Sequence, residues 1–254
     1  METIQNDNNT QTQQVYILEY QVNGCKFDLK INDMILVGHD KDLSISSKSV
    51  LNAYLHDGEN QFEIILRGKN PNECSFKLTL FSIDPRDKLA ENRTIISEHE
   101  ATDSLKKVFT IDSGFGNPIY ESGETIEDSE VNLKKLLTKY EEIHKLLLKK
   151  NVDEFMRITK KRNEDWAVAL FKTSEEHEKE VRNHMERMVN DFHIQSLDHE
   201  YIKMGIYAHA KLANLQYEGN YPIIYFANKD KSNFEVIPLY FYFNADINDF
   251  IVVR

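Results

Sequence analysis

Along the first third of the chain the apolar positions recur with a period of two. Val15-Tyr16-Ile17-Leu18-Glu19-Tyr20 is rich in β-formers, and Cys25-Lys26-Phe27-Asp28-Leu29-Lys30-Ile31 alternates an apolar with a charged face. Asn23-Gly24 between them reads as a hairpin turn, since both residues tolerate the left-handed backbone such turns require. Similar runs lie at 34–37, 61–66, 75–83 and 107–111, separated by Gly, Asn, Asp and Pro. Short strands punctuated in this way predict an antiparallel β-sandwich over residues 14–112. Ahead of it, residues 1–13 are polar and read as a disordered leader. Gly58 is placed to supply a positive φ before a strand, and Asn60 to bond its own backbone.

The texture then changes. Gly114, Gly116, Pro118 and Gly123 cluster, and Glu121, Glu124, Glu127, Asp128 and Glu130 accumulate with no basic residue among them. This predicts an interdomain linker over 113–128 running into a helix N-terminus, where carboxylates suit the dipole. Beyond it the period is 3.6: Leu133, Leu136, Leu137, Tyr140, His144 and Leu147 form one stripe of an amphipathic helix. Asn151 predicts a cap for a second, short helix carrying Val152, Phe155 and Met156. A third begins near Asn163 and carries Trp166, Ala169 and Leu170. Thr173 and Glu176 predict a capping box for a fourth, which turns His177, Val181, His184, Met185, Met188 and Phe192 to one side. Residues 198–215 read as a further helix or a helix–strand mixture. The chain returns to β at 222–227, 234–243 and 250–253, with an Asn/Asp turn over 244–249. The expectation is α+β in two domains: an N-terminal antiparallel β-sandwich, then helices packed on a curved C-terminal antiparallel sheet over 129–254.

Charge and cysteines narrow the function. Lys+Arg number 31 and Asp+Glu 42, a net charge of −11, spread evenly along the chain. Phosphate binding needs clustered cations, so nucleic acid is not an expected partner. Cys25 and Cys74 are too few for a metal ribbon or a staple framework and read as buried thiols of a reducing compartment. No run approaches ~18 apolar residues, and the polar start has no secretory pattern, so the chain is expected in the cytoplasm, off the membrane.

Three resemblances add to this. Leu55-x-x-Gly58-x-Asn60-x-Phe62-x-Ile64 resembles the strand lead-in of galactose-binding-like β-sandwich modules, which implies carbohydrate as one ligand class. The C-terminal half is similar to the NTF2/SnoaL-like cone: leading helices, then Ile237-Pro238-Leu239-Tyr240-Phe241-Tyr242-Phe243, an Asn/Asp turn and a last strand. Where that family has Gly-x-Trp-x-Ile, this chain has Asn248-Asp249-Phe250-Ile251-Val252. The acidic two-domain chain as a whole resembles bacterial immunity proteins, which neutralise a toxin by covering its site. That implies a protein partner, a basic toxin domain.

No GxxxxGK[ST], HExxH, GxSxG or EF-hand spacing occurs, and no catalytic residue, cofactor or metal is assigned. Glu141-x-x-His144 lacks the second motif of a di-iron bundle. His177 and His184 stand two helical turns apart, about 10–11 Å, too far to share a metal. Glu180 and His184 read as a solvated pair. Tyr240 and Tyr242 alternate with Phe241 and Phe243, placing two hydroxyls on one sheet face. If that face lines a pocket, His209 and Tyr225 can converge there as acid/base groups; in a binding protein all four are contact residues. The candidate contacts are therefore Glu121, Glu124, Glu127, Tyr240, Tyr242, His209 and Tyr225. The leading expectation is a non-catalytic inhibitor of a toxin. The alternatives are a small-molecule binder or enzyme using the C-terminal domain, and a carbohydrate-binding sandwich.

Overall fold

The structure is a computed structural model and describes residues 13–67, 74–85, 92–112, 118–218, 220–230 and 233–253. The leader up to residue 12 and the first part of the expected linker, 113–117, lie outside the described residues. The chain is α+β, as the alternating and helical periods imply. Its N-terminal half is one antiparallel sheet of six strands: β1 (Val15–Ile31), β2 (Met34–Val50), β3 (Gly58–Arg67), β4 (Ser75–Ile83), β5 (Thr94–Ala101) and β6 (Leu105–Ile111). β1 organises it. One edge pairs with β2 along its length; the other pairs first with β4 and then with β3. The sheet therefore bends on itself, nearly as a barrel, and its halves face each other as two layers would.

The bend lies where the sequence predicts a turn. Asn23-Gly24 does not reverse the chain. It is a bulge inside β1, with Gly24 at φ +64° and the β2 register shifting there. One extra residue inverts the side-chain alternation. Tyr16, Leu18, Tyr20 and Val22 point inward before it, and Cys25, Phe27, Leu29 and Ile31 after it. The hairpin comes later, at Asn32-Asp33, with φ +47° and +65° as a two-residue turn requires. The bulge also corrects the cysteine reading. Cys25 and Cys74, 49 residues apart, come to a Cα–Cα distance of 5.3 Å beside the β1–β4 pairing and are joined as a disulfide.

Helices α1 (Glu130–Leu148), α2 (Val152–Ile158), α3 (Lys160–Ala169) and α4 (Ser174–Asp191) follow the predicted stripes. Asn151 accepts from the Glu154 N–H, and Thr173 with Glu176 closes the capping box on α4. Of the two readings of 198–215, a helix or a helix–strand mixture, the structure is nearer the second. A single 3-10 turn, His199–Tyr201, leads into a hairpin of β8 (Lys203–Tyr207) and β9 (Leu212–Gln216). The reason is tertiary: β9 also pairs with β12 (Phe241–Asn244), so this segment is sheet interior. The long strand expected over 234–243 is cut by Pro238, which donates no hydrogen bond. Its first part is β11 (Phe234–Val236), in a small sheet ordered β11, β10 (Tyr225–Ala227), β7 (His193–Ile194). Its second is β12, in a sheet ordered β13 (Asp249–Val252), β12, β9, β8.

Helix α1 lies on the four-stranded sheet and is pinned there by Tyr140, whose hydroxyl donates to the Leu239 carbonyl at 2.8 Å and accepts from the Leu215 N–H at 3.2 Å. The opposite face of that sheet packs on the N-terminal half. One continuous core holds Tyr16, Phe27 and Tyr54 of the N-terminal half together with Tyr207, Tyr240 and Val253. The two halves are thus bonded through apolar contact, not merely tethered. Among the described residues no helix is long and apolar enough to cross a membrane.

Candidate functional site

Three concave regions carry the chemistry of the surface. The largest, about 450 Å³, lies between the two halves, with Asn32, Asn60, Glu121 and His209 among its lining. Its N-terminal wall is rigid. Asn60 is buried and its Oδ1 accepts from Asn32 Nδ2 (2.7 Å) and the His56 N–H (3.1 Å), while its Nδ2 donates to the His56 and Gly58 carbonyls. Gly58 stands at φ +90°, so the local reading of this turn holds. The opposite wall is the β8–β9 loop, where Ala208, His209 and Ala210 run consecutively at φ +51°, +54° and +65°. Such a run is costly for non-glycine residues and persists only where the surroundings impose it. Here the Ile126 N–H holds the Ala210 carbonyl at 2.7 Å, and Lys211 Nζ donates to the Gly123 carbonyl at 2.7 Å. His209 is exposed at the loop tip.

Of the three candidate contact carboxylates in the linker, Glu121 faces this cleft, whereas Glu124 and Glu127 are exposed beyond it. The segment carrying them is fastened at both flanks. Tyr120 and Ile126 are buried, and the Glu124 N–H donates to the Phe243 carbonyl at 3.1 Å. Gly123 is a glycine because nothing larger fits: a Cβ there would stand 2.8 Å from the Tyr242 ring.

Tyr240 and Tyr242 do not meet His209 and Tyr225 in a pocket. They point into the core between the two halves, as their alternation with Phe241 dictates, and both are buried. The Tyr240 hydroxyl donates to the Ile35 carbonyl across that core at 3.0 Å, and its ring stands edge-on to Tyr207. Burial raises the Tyr240 hydroxyl well above its ordinary pKa and pushes Tyr207 up to about 12. Neither ionises near neutrality, and as core groups they are not available for acid–base work.

Tyr225 belongs to the second region, a groove of about 320 Å³ on the small sheet. In the β10–β11 register, Tyr225 faces Val236 and Ala227 faces Phe234, so all four side chains share one side. Tyr217, Tyr221 and Pro222 close its end. Among the described residues nothing covers the outer part of this face: Phe234 is 60% exposed and Val236 37%. β11 is also the sheet's outer strand among the described residues. The sequence pattern missed the groove because it joined Phe234 to the long strand that Pro238 interrupts.

The third region, about 290 Å³, opens between α3, α4 and the segment around Pro238, and meets the second at Val236. His177 is 6% exposed and lines it, yet neither ring nitrogen has a hydrogen-bond partner. Arg162 Nε and Trp166 Nε1 are likewise buried without one. Burial lowers the His177 pKa, with Lys172 and Arg162 adding to the effect, so the ring is neutral at pH 7. His184, expected on the buried side, is exposed at the rim. No group of three or more His, Cys, Asp or Glu among the described residues is arranged to hold a metal ion. Nothing in the sequence marks Arg162 as a site residue, since it ends the basic run Lys160-Lys161-Arg162, the pattern of a solvated helix face.

No family model, no curated protein and no solved structure matches the chain.

Proposed function

We propose that the chain is a non-catalytic binding protein that neutralises a basic protein, most specifically a bacterial toxin domain, by covering it. The observation that carries this reading is the exposed aromatic face of the small sheet, bounded by β11, its outer strand among the described residues. An exposed Phe on a strand that is outermost among the described residues, beside the half-exposed Tyr225 of its neighbour, makes an interface anchor and a template for strand addition. The net charge of −11 favours a cationic partner and speeds encounter.

The test is capture by the tagged chain from the lysate of its own source, at low and moderate salt. The expected result is one stoichiometric basic protein, lost with Phe234→Asp and bound with a slower on-rate after Glu121, Glu124 and Glu127 are changed to Lys. Purified chain should then suppress the captured protein's toxicity. Capture unaffected by Phe234→Asp would remove the β11 face from the proposal, and an unchanged on-rate and salt dependence would remove its electrostatic part. The cytoplasmic expectation meets one opposing feature, the Cys25–Cys74 disulfide, which suits an oxidising compartment. Thiol labelling of protein drawn from its source decides this: two labelled cysteines place it in the cytoplasm, none places it outside.

A further inference from the structure

The pocket between α3 and α4 has a physical oddity that the protein-binding reading leaves unused. Buried polar groups are almost always hydrogen-bonded, because an unmet donor or acceptor costs its full desolvation. Four such atoms belong to three residues that line this pocket: Arg162 Nε, Trp166 Nε1 and both nitrogens of His177. The guanidinium of Arg162 also has no carboxylate within ion-pair distance among the described residues. Its contacts include Asn163 Oδ1 at 3.4 Å and the Trp166 ring, 5.5 Å from the guanidinium carbon, and Tyr54 is close enough to act on it electrostatically. Burial lowers its pKa, which is the mark of a cation enclosed without its counter-charge. Glu180 at the rim does not supply that charge, since it is paired with Lys172.

Apart from Glu180 and His184 at the rim, the rest of the lining is apolar, from Phe155, Val181, Met185, Met188, Ile237 and Pro238 among others. An unpaired planar cation with two further N–H donors calls for a carboxylate, which a guanidinium can hold with two parallel bonds. Apolar walls around them call for a hydrocarbon tail. The ring torsion of histidine is soft, so the His177 nitrogens can follow a ligand. From this combination we infer that the pocket is a binding site for a small organic monocarboxylate with an apolar tail. The carboxylate sits between Arg162, Trp166 and His177, and the tail lies over Met185 and Met188.

Trp166 is the chain's single tryptophan, so its fluorescence reports the site without a label. The probe is octanoate, titrated into the unmodified full-length protein and followed by tryptophan fluorescence and calorimetry. The expected result is saturable 1:1 binding, with octanol (same tail, no charge) and acetate (same charge, no tail) each weaker by about 10-fold or more. Arg162→Met should weaken octanoate by about 10- to 100-fold while leaving octanol unchanged. Absence of saturable octanoate binding up to its solubility limit overturns the inference. So does octanol binding as tightly as octanoate, a comparison that needs no variant to fold. N-acetylleucine, which has the end of a peptide chain, separates the two sources of such a carboxylate. Tighter binding of N-acetylleucine than of octanoate would overturn the assignment to a free acid in favour of a peptide terminus.

Discussion

The C-terminal half carries two aromatic sheet faces built from the same residue types, and they have opposite fates. On the four-stranded sheet, Tyr240, Tyr242 and Tyr207 are covered by the N-terminal half, and the hydroxyls of Tyr240 and Tyr207 are bonded to Ile35 and Gln216. On the small sheet, Phe234 and Val236 are exposed beside the half-buried Tyr225, with nothing over them among the described residues. Strand alternation decides which residues share a face. What stands opposite decides whether that face is core or contact surface, and that information comes from elsewhere in the chain. The pocket between α3 and α4 is a third case, a buried wall whose polar atoms have no partner.

The largest effect that would break this contrast is on the covered face. Tyr240→Ala should destabilise the fold by about 3–5 kcal/mol, as buried aromatic deletions do. Tyr225→Ala on the open face should cost under about 1 kcal/mol. Equal losses in urea unfolding would mean that the two faces are equally covered. Gly123→Ala comes next. Its methyl group meets the Tyr242 ring and the Phe243 carbonyl, so a loss of about 1–3 kcal/mol is expected, readable as a lowered Tm. Tyr240→Phe keeps the ring and strands the Ile35 carbonyl, for about 1–2 kcal/mol. The smallest effect concerns pH. The folded His177 pKa lies below the ordinary 6.5 of an unfolded histidine, so its neutral form stabilises the fold above that pH. As pH falls below about 6.5 the unfolded chain takes up the proton first, and stability is lost. Unfolding midpoints measured from pH 7.5 down to 5 should fall less steeply for His177→Gln than for the unmodified chain. Parallel slopes would show that His177 carries no linked proton.

Much of the fold was legible in local pattern, and its failures have one physical kind. The α1 stripe, the Asn151 and Thr173 caps, and the Gly58–Asn60 turn are local effects of residues within a few positions of each other, and they formed as read. The misreading at Asn23-Gly24, the open choice at 198–215 and the break at Pro238 all concern strands whose place is set by more than one neighbour: β1 by β2, β3 and β4, β9 by β8 and β12, and β10 by β7 and β11. A bulge and a turn share the same dipeptide, and only the β1–β4 and β1–β3 pairings tell them apart. The site residues divide in the same way. The shared face of Tyr240 and Tyr242 followed from alternation, but its burial follows from an N-terminal sheet that alternation cannot place opposite it. Arg162 and Phe234 were overlooked because neither basic charge nor aromaticity shows, in sequence, which residues will end up without a neighbour.

The shared core also has a consequence for synthesis. Tyr240 reaches Ile35 across 205 positions, and Val253, wholly buried, closes the same core around Tyr16 and Phe27. While the chain emerges from the ribosome, the N-terminal sheet therefore waits with one apolar flank bare until residues near 253 have been made. Such an exposed intermediate is open to aggregation and to capture by holding chaperones. Slowing translation between residues 130 and 240 should lengthen that wait and lower the yield of folded protein, with no change in the stability of the molecules that finish.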